Sequence, residues 1–154
     1  MCLHELLTKK EKNEIIDKIG KKGMKVYKII ENRKNMKFGP FMFMRYCKGI
    51  NKIMDIEKFK KIYSFNPLTG KNITYKQGLH FYKTRKAANT ICEIYNERRA
   101  DDSPYPYEVV ECIVKKSWII GIGKEMRASI FSFDDPNNPA VFDVIIVSKK
   151  AIFS

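Results

Sequence analysis

Between Glu57 and Glu93 the chain carries no acidic residue, eight basic residues and six aromatics. The basic ones are Lys58, Lys60, Lys61, Lys71, Lys76, Lys83, Arg85 and Lys86; the aromatics are Phe59, Tyr63, Phe65, Tyr75, Phe81 and Tyr82. Ammonium and guanidinium groups neutralise phosphates, and aromatic rings stack on bases. The interleaving points to a partner that is anionic and has flat parts: nucleic acid or another polyanion. Lys71, Lys76, Lys83, Arg85 and Lys86 are the expected phosphate contacts. Tyr75 and Tyr82 are the expected stacking rings, with Tyr27, Tyr63 and Phe65 as further aromatics of the same kind. Thr84 is placed to cap a helix, whose free amides beside Arg85 and Lys86 form an anion site.

His80 is the other chemically capable side chain of this stretch. It stands between Leu79 and Phe81 in an apolar run, and strand alternation turns it away from both. Nearby lysines favour its neutral ring, which can act as a base or bond a phosphate or ribose. The alternative is a structural histidine bonded to backbone. Cys2 follows the initiator Met1 and is either an N-terminal nucleophile or a small apolar group packed with Leu3, Leu6 and Leu7. No two of the four cysteines stand at a CxxC spacing, and His4 and His80 are the two histidines, so no metal site is expected. No cofactor is expected either. Asp134 to Asn138 has half the look of a cation loop but lacks its terminal Glu, and reads as a turn.

The net charge of +13 is unevenly placed. Residues 1–100 hold 24 Lys and Arg against 9 Asp and Glu, a balance of +15, while residues 101–154 hold 6 against 8, a balance of −2. The first two thirds therefore carry a field that attracts polyanions. Glu11, Glu14 and Asp17 damp the lysines of the N-terminal helix, which places the expected centre of binding at residues 71–86. An acidic protein surface is a second kind of partner for such a field. No signal peptide or apolar run of ~18 residues is visible, so a cytoplasmic protein, not secreted and without membrane contact, is expected. For a viral protein the same signs allow the host cytoplasm or nucleus.

These groups need a scaffold. Apolar residues make up 44% of the 154, enough for one core, and the chain reads as a single domain over residues 1–154. Thr8-Lys9-Lys10-Glu11 is a capping-box pattern opening a helix with Ile15, Ile16 and Ile19 on one face, ended by Gly20 and Gly23. Met24–Ile30 alternates as a strand, and Phe41–Tyr46 is an apolar run. Asp55 is placed to cap a helix that shares Ile56, Phe59, Ile62 and Tyr63 on one face. Gly78–Tyr82 reads as a short strand and Arg85–Asn96 as a helix. Tyr107–Val114, Trp118–Ile122, Arg127–Phe133 and Ala140–Val147 read as strands. The order predicts an α+β fold: a mixed or antiparallel sheet of about five or six strands with about three helices.

The stretch Gly78-Leu79-His80-Phe81-Tyr82-Lys83-Thr84-Arg85-Lys86-Ala87 resembles an element of small uncharacterised bacterial and phage proteins. There a Gly-x-His-aromatic strand precedes a Thr-capped helix, then a strand pair like Tyr107–Cys112 and a Ser-Lys-rich end like Val147–Lys150. The resemblance covers roughly residues 75–150. More widely, the Gly-containing strand and helix are similar to the ADP-ribosyltransferase-like fold, where they flank a nicotinamide dinucleotide cleft. The Ser-Thr-Ser element and Glu-x-Glu turn of that class are missing here, which leaves Glu111 or Glu125 as the catalytic acid beside His80. Three functions are thus expected in turn: a non-catalytic binder of nucleic acid or another polyanion; an ADP-ribosyltransferase-like enzyme; and a phage-type accessory protein that inhibits a host protein machine.

Overall fold

The computed structural model describes residues 3–33, 36–38, 45–46, 48–52, 61–66, 69–76, 78–97, 105–127, 140–147 and 150–153. The fold is α+β, built on an antiparallel sheet. Among the described residues there are twelve strands and two α-helices. The strands are β1 (Glu5–Leu6), β2 (Met24–Arg33), β3 (Met36–Phe38), β4 (Arg45–Tyr46), β5 (Gly49–Lys52), β6 (Lys61–Asn66), β7 (Lys71–Lys76), β8 (Leu79–Tyr82), β9 (Tyr107–Val114), β10 (Ile119–Arg127), β11 (Ala140–Val147) and β12 (Lys150–Phe153). The helices are α1 (Lys9–Asp17) and α2 (Arg85–Glu97).

Ten strands form one sheet in the order β1-β10-β11-β8-β2-β9-β12-β5, with β3 and β4 extending from β2. The remaining two, β6 and β7, pair only with each other. The ladder is long between β2 and β9, from Met24↔Val114 to Glu31↔Tyr107. Between β2 and β8 it shrinks to a single bridge, Tyr27↔Tyr82. The sheet is therefore two antiparallel halves joined at a narrow seam.

Both faces of the sheet are covered. Val26, Ile30, Leu79, Phe81, Ile145 and Val147 form one core, against which Ile15 and Ile16 of α1, and Ile19 just beyond its end, pack. Ile29, Tyr82, Val144 and Ile146 form the other, with Ala87, Ala88 and Ile91 of α2. Period two sends alternate residues of β8 and β11 into opposite cores, so both strands read as continuous apolar runs. Gly78 enters β8 so close to β11 that a Cβ there would lie 2.6 Å from the Val147 carbonyl oxygen. No larger residue fits that position.

Local chemistry sets the helix ends. The Thr8 hydroxyl accepts the Glu11 amide at 3.3 Å, and the Glu11 carboxyl accepts the Thr8 amide at 2.9 Å, closing the capping box. Thr84 accepts the Ala87 amide at 3.2 Å and starts α2. Asn96 fixes its other end by a two-way bond to the Tyr107 backbone, at 2.8 and 3.0 Å.

Two expectations are corrected. The sheet has about twice the expected number of strands, because β1, β3, β4, β5 and β12 are runs of two to four residues, too short to alternate, that cross-strand pairing completes. Two helices are present among the described residues where three were expected. The start of the third lies outside them, but Ile62 and Tyr63, assigned to its face, belong to β6 instead, opposite Tyr75 and Thr74. The i, i+3 spacing fits a helix face, but β-branched and aromatic residues also suit a strand, and pairing with β7 decides for the strand. The expected run Phe41–Met44, the expected strand beyond Arg127 and the turn at Asp134 to Pro139 also lie outside the described residues.

Candidate nucleic-acid interface

Antiparallel register sorts the hairpin β6–β7 into two faces. Tyr63 stands opposite Thr74 and Phe65 opposite Asn72, so these four share one face, which also takes Lys76. Tyr75 and Ile73 lie on the other face and pack into the α2 core. The outer face is left to solvent: Tyr63 is 77% exposed and Phe65 55%. Two large rings at i and i+2, about 7 Å apart along the strand, are each open to a flat partner. Lys76 is exposed on the same face, and Lys71, in register with the face of Ile73 and Tyr75, is exposed at the turn end of β7; neither forms an ion pair among the described residues.

Lys76 also belongs to a second feature. Together with Lys9 and Lys12 of α1 it borders a cavity of about 620 Å³. A second hollow, about 630 Å³, continues from Lys12 and Ile119 along α1 to Lys21, Lys115 and Lys116. Two of the three acidic residues of this helix are engaged, Glu11 in its capping box and Asp17 with Lys116 at 3.1 Å, while Glu14 is exposed. The lysines of α1 therefore join Lys76 on one flank of the molecule, which the sequence reasoning had set aside. Lys12, Lys21, Lys115 and Lys116 were missed because they come together only when β9 and the turn after it pack beside α1.

The other expected contacts are distributed differently. Tyr82 is fully buried and Tyr75 is 6% exposed. Tyr82 donates to the Glu125 carboxyl at 2.7 Å, and the Tyr75 hydroxyl accepts the Leu3 amide at 3.0 Å. Both rings are core, so the stacking role assigned to them is corrected: an apolar ring on a strand is buried or open according to its face. Lys83 meets Asp143 at 3.5 Å. Arg85 bonds Glu111 at 3.0 Å and lies 4.9 Å over the Tyr27 ring. Thr84 is occupied by its cap, and Lys86 is exposed at the start of α2. The acid-free stretch thus receives carboxylates from the C-terminal third.

The three candidate catalytic groups lie in three settings. Glu111 sits at the surface between Lys25, at 3.1 Å, and Arg85, and those hydrogen bonds hold its carboxyl below the usual range. Glu125 is buried beneath Phe142 and Tyr82. His80 is 7% exposed, and its Nδ1 donates to the Gly78 carbonyl at 2.9 Å. Burial first, and the Lys28 charge second, push its pKa down to about 3. Its Nε2 is buried without a hydrogen-bond partner. Tyr75 closes over it edge-on, with ring centroids 5.8 Å apart. A neutral, enclosed imidazole bonded to its own backbone holds β8 rather than meeting solvent.

Among the described residues no group of His, Cys, Asp and Glu is arranged to hold a metal ion. Cys92 and Cys112 are buried, and Cys2 lies outside the described residues. No described helix is long and apolar enough to cross a membrane. No protein-family model, curated protein or solved structure matches the chain.

Proposed function

We propose that this protein is a non-catalytic binder of single-stranded nucleic acid. The observation that supports this is the pair of exposed rings, Tyr63 and Phe65, on the outer face of β6, with Lys76 on the same face and Lys71 exposed at the turn end of the hairpin. An exposed aromatic pair costs solvation unless a flat partner covers it, and bases stack on such rings without regard to sequence. Lysines around the rings supply phosphate contacts, and the hollow from Lys12 to Lys116 extends them. A single strand suits the site better than a duplex, because only unpaired bases offer their faces.

The test is fluorescence anisotropy with a labelled single strand and the matching duplex at several salt concentrations. The single strand is expected to bind more tightly, with log affinity falling linearly against log salt by about 0.7 per phosphate engaged. Tyr63→Ala and Phe65→Ala should each weaken binding by ~1–3 kcal/mol. Tight duplex binding with no effect of either substitution overturns the reading, as does no binding at low salt.

A further inference from the structure

The 620 Å³ cavity between α1, β7 and β10 has a chemistry of its own. Its floor is aliphatic: Leu6, Leu7, Ile119, Ile120, Ile122 and Ile146. Its border carries three ammonium groups, on Lys9, Lys12 and Lys76, and among the described residues no carboxyl lines it. The hollow has a local cause. The β10–β11 register shifts between Ile119 and Gly121, and Gly121 then puts no side chain over Ile146. A Cβ at Gly121 would stand 3.2 Å from the Ile146 Cδ1 atom. A bulge and a missing side chain together leave the floor open where a regular strand would fill it.

We propose that this cavity binds a single-chain anionic amphiphile, a carboxylate or phosphate carried on an aliphatic tail. The volume lies within the ~300–1,000 Å³ typical of small-molecule sites. A base would leave its polar edge against leucine and isoleucine, where unpaired donors and acceptors are costly. An aliphatic tail has no such edge. The one-sided border selects the head: three lysines without an acid attract an anion and repel a cation. The site shares Lys76 with the aromatic hairpin but does not depend on Tyr63 or Phe65, so this inference stands apart from the nucleic-acid reading.

The test measures the binding of four probes to the full chain by titration calorimetry, the amphiphiles below their micelle-forming concentrations. Decanoate and decyl phosphate carry the tail with two kinds of anionic head. Decyltrimethylammonium carries the same tail with the opposite charge. Inorganic phosphate carries the head alone. One or both anionic amphiphiles are expected to bind at one site per chain, and the other two probes are not. Lys9→Glu, on the exposed border, should weaken that binding ~5-fold or more, as expected for loss of a solvated charge contact. Ile120→Trp, which fills the floor, should weaken it further; if that variant unfolds, Lys9→Glu alone decides. Tyr63→Ala should leave amphiphile binding unchanged even where it abolishes binding of a single strand. Equal binding of the cationic probe, binding of phosphate alone, or unchanged affinity in Lys9→Glu overturns the proposal.

Discussion

The Lys28 ammonium donates to the His80 backbone carbonyl at 2.8 Å, across the seam where β2 and β8 share the single bridge Tyr27↔Tyr82. Lys28 occupies the row of Val26 and Ile30, which are core residues, and its Nζ lies 5.4 Å over the Phe81 ring. A charged side chain thus adds a second link where the ladder is weakest. Its cost is desolvation, which lowers the Lys28 pKa from 10.5 to about 8.

That shift gives a pH dependence with a definite sign. Between pH 8 and 10.5 the unfolded chain holds a proton on Lys28 that the folded chain has given up. Stability contributed by this group therefore rises with pH across that window. The rise is on the order of 2 kcal/mol, reduced because the side chain is only partly buried. Lys28→Met is expected to lose it. Urea unfolding of both proteins at pH 7.5 and 10 checks this, and parallel changes in the two would count against it.

His80 acts at the acid end. Its pKa falls from the ordinary 6.5 to about 3 in the folded state, so below pH 6.5 the unfolded chain takes up a proton that the folded chain refuses. The stability from a neutral His80 is complete above pH 6.5 and is lost as pH falls through that window toward 3. The loss is on the order of 4 kcal/mol. His80→Gln should be less stable at pH 7, where the Gly78 bond is disturbed, yet should show a flatter decline between pH 6.5 and 4. Identical slopes for variant and parent would remove the histidine from the explanation.

Charge reversal separates the two groups of cations. Lys76 is exposed on the face of the open rings and Lys71 at the turn end of the same hairpin, whereas Lys83 and Arg85 are held by Asp143 and Glu111. Reversing Lys71 and Lys76 together is expected to weaken single-strand binding more than reversing Lys83 and Arg85, and to lower the salt slope by about 1.4 for two contacts. The second pair should instead lower the melting temperature by a few degrees. Anisotropy and thermal melts on both double variants decide it.

Tyr82→Phe isolates the buried hydroxyl bonded to Glu125 at 2.7 Å. Removing a donor from a buried acceptor costs ~1–3 kcal/mol. In a chain of this size that lowers the melting temperature by roughly 3–10 °C. Single-strand binding should be unchanged, because the Tyr82 ring faces α2 and not the hairpin surface. A binding defect at full stability would restore Tyr82 to the interface.

Local structure was legible wherever a pattern needed no distant partner. The Thr8 capping box, the strand from Met24, the Thr84-capped helix and the runs Tyr107–Val114 and Ala140–Val147 are all present. Caps and alternation are written in neighbouring residues, so composition and spacing suffice for them. The α+β class follows from their order. The hairpin β6–β7 was not legible, because Ile62 and Tyr63 fit a helix face until β7 pairs with them.

The amino-acid sequence by itself determined the sign of the field and the supply of rings and lysines from which an interface is drawn. Tertiary structure decided which of them face solvent. Alternation says that Tyr63 and Phe65 oppose Ile62 and Ser64, but not which side meets a core. That came from the packing of Tyr75 and Ile73 toward α2. Likewise an acid-free stretch is a property of the chain, while a field is a property of space. Glu111 and Asp143, 26 residues beyond Arg85 and farther along from Lys83, fold back onto those cations, and a Coulomb pair depends on distance through space rather than along the backbone.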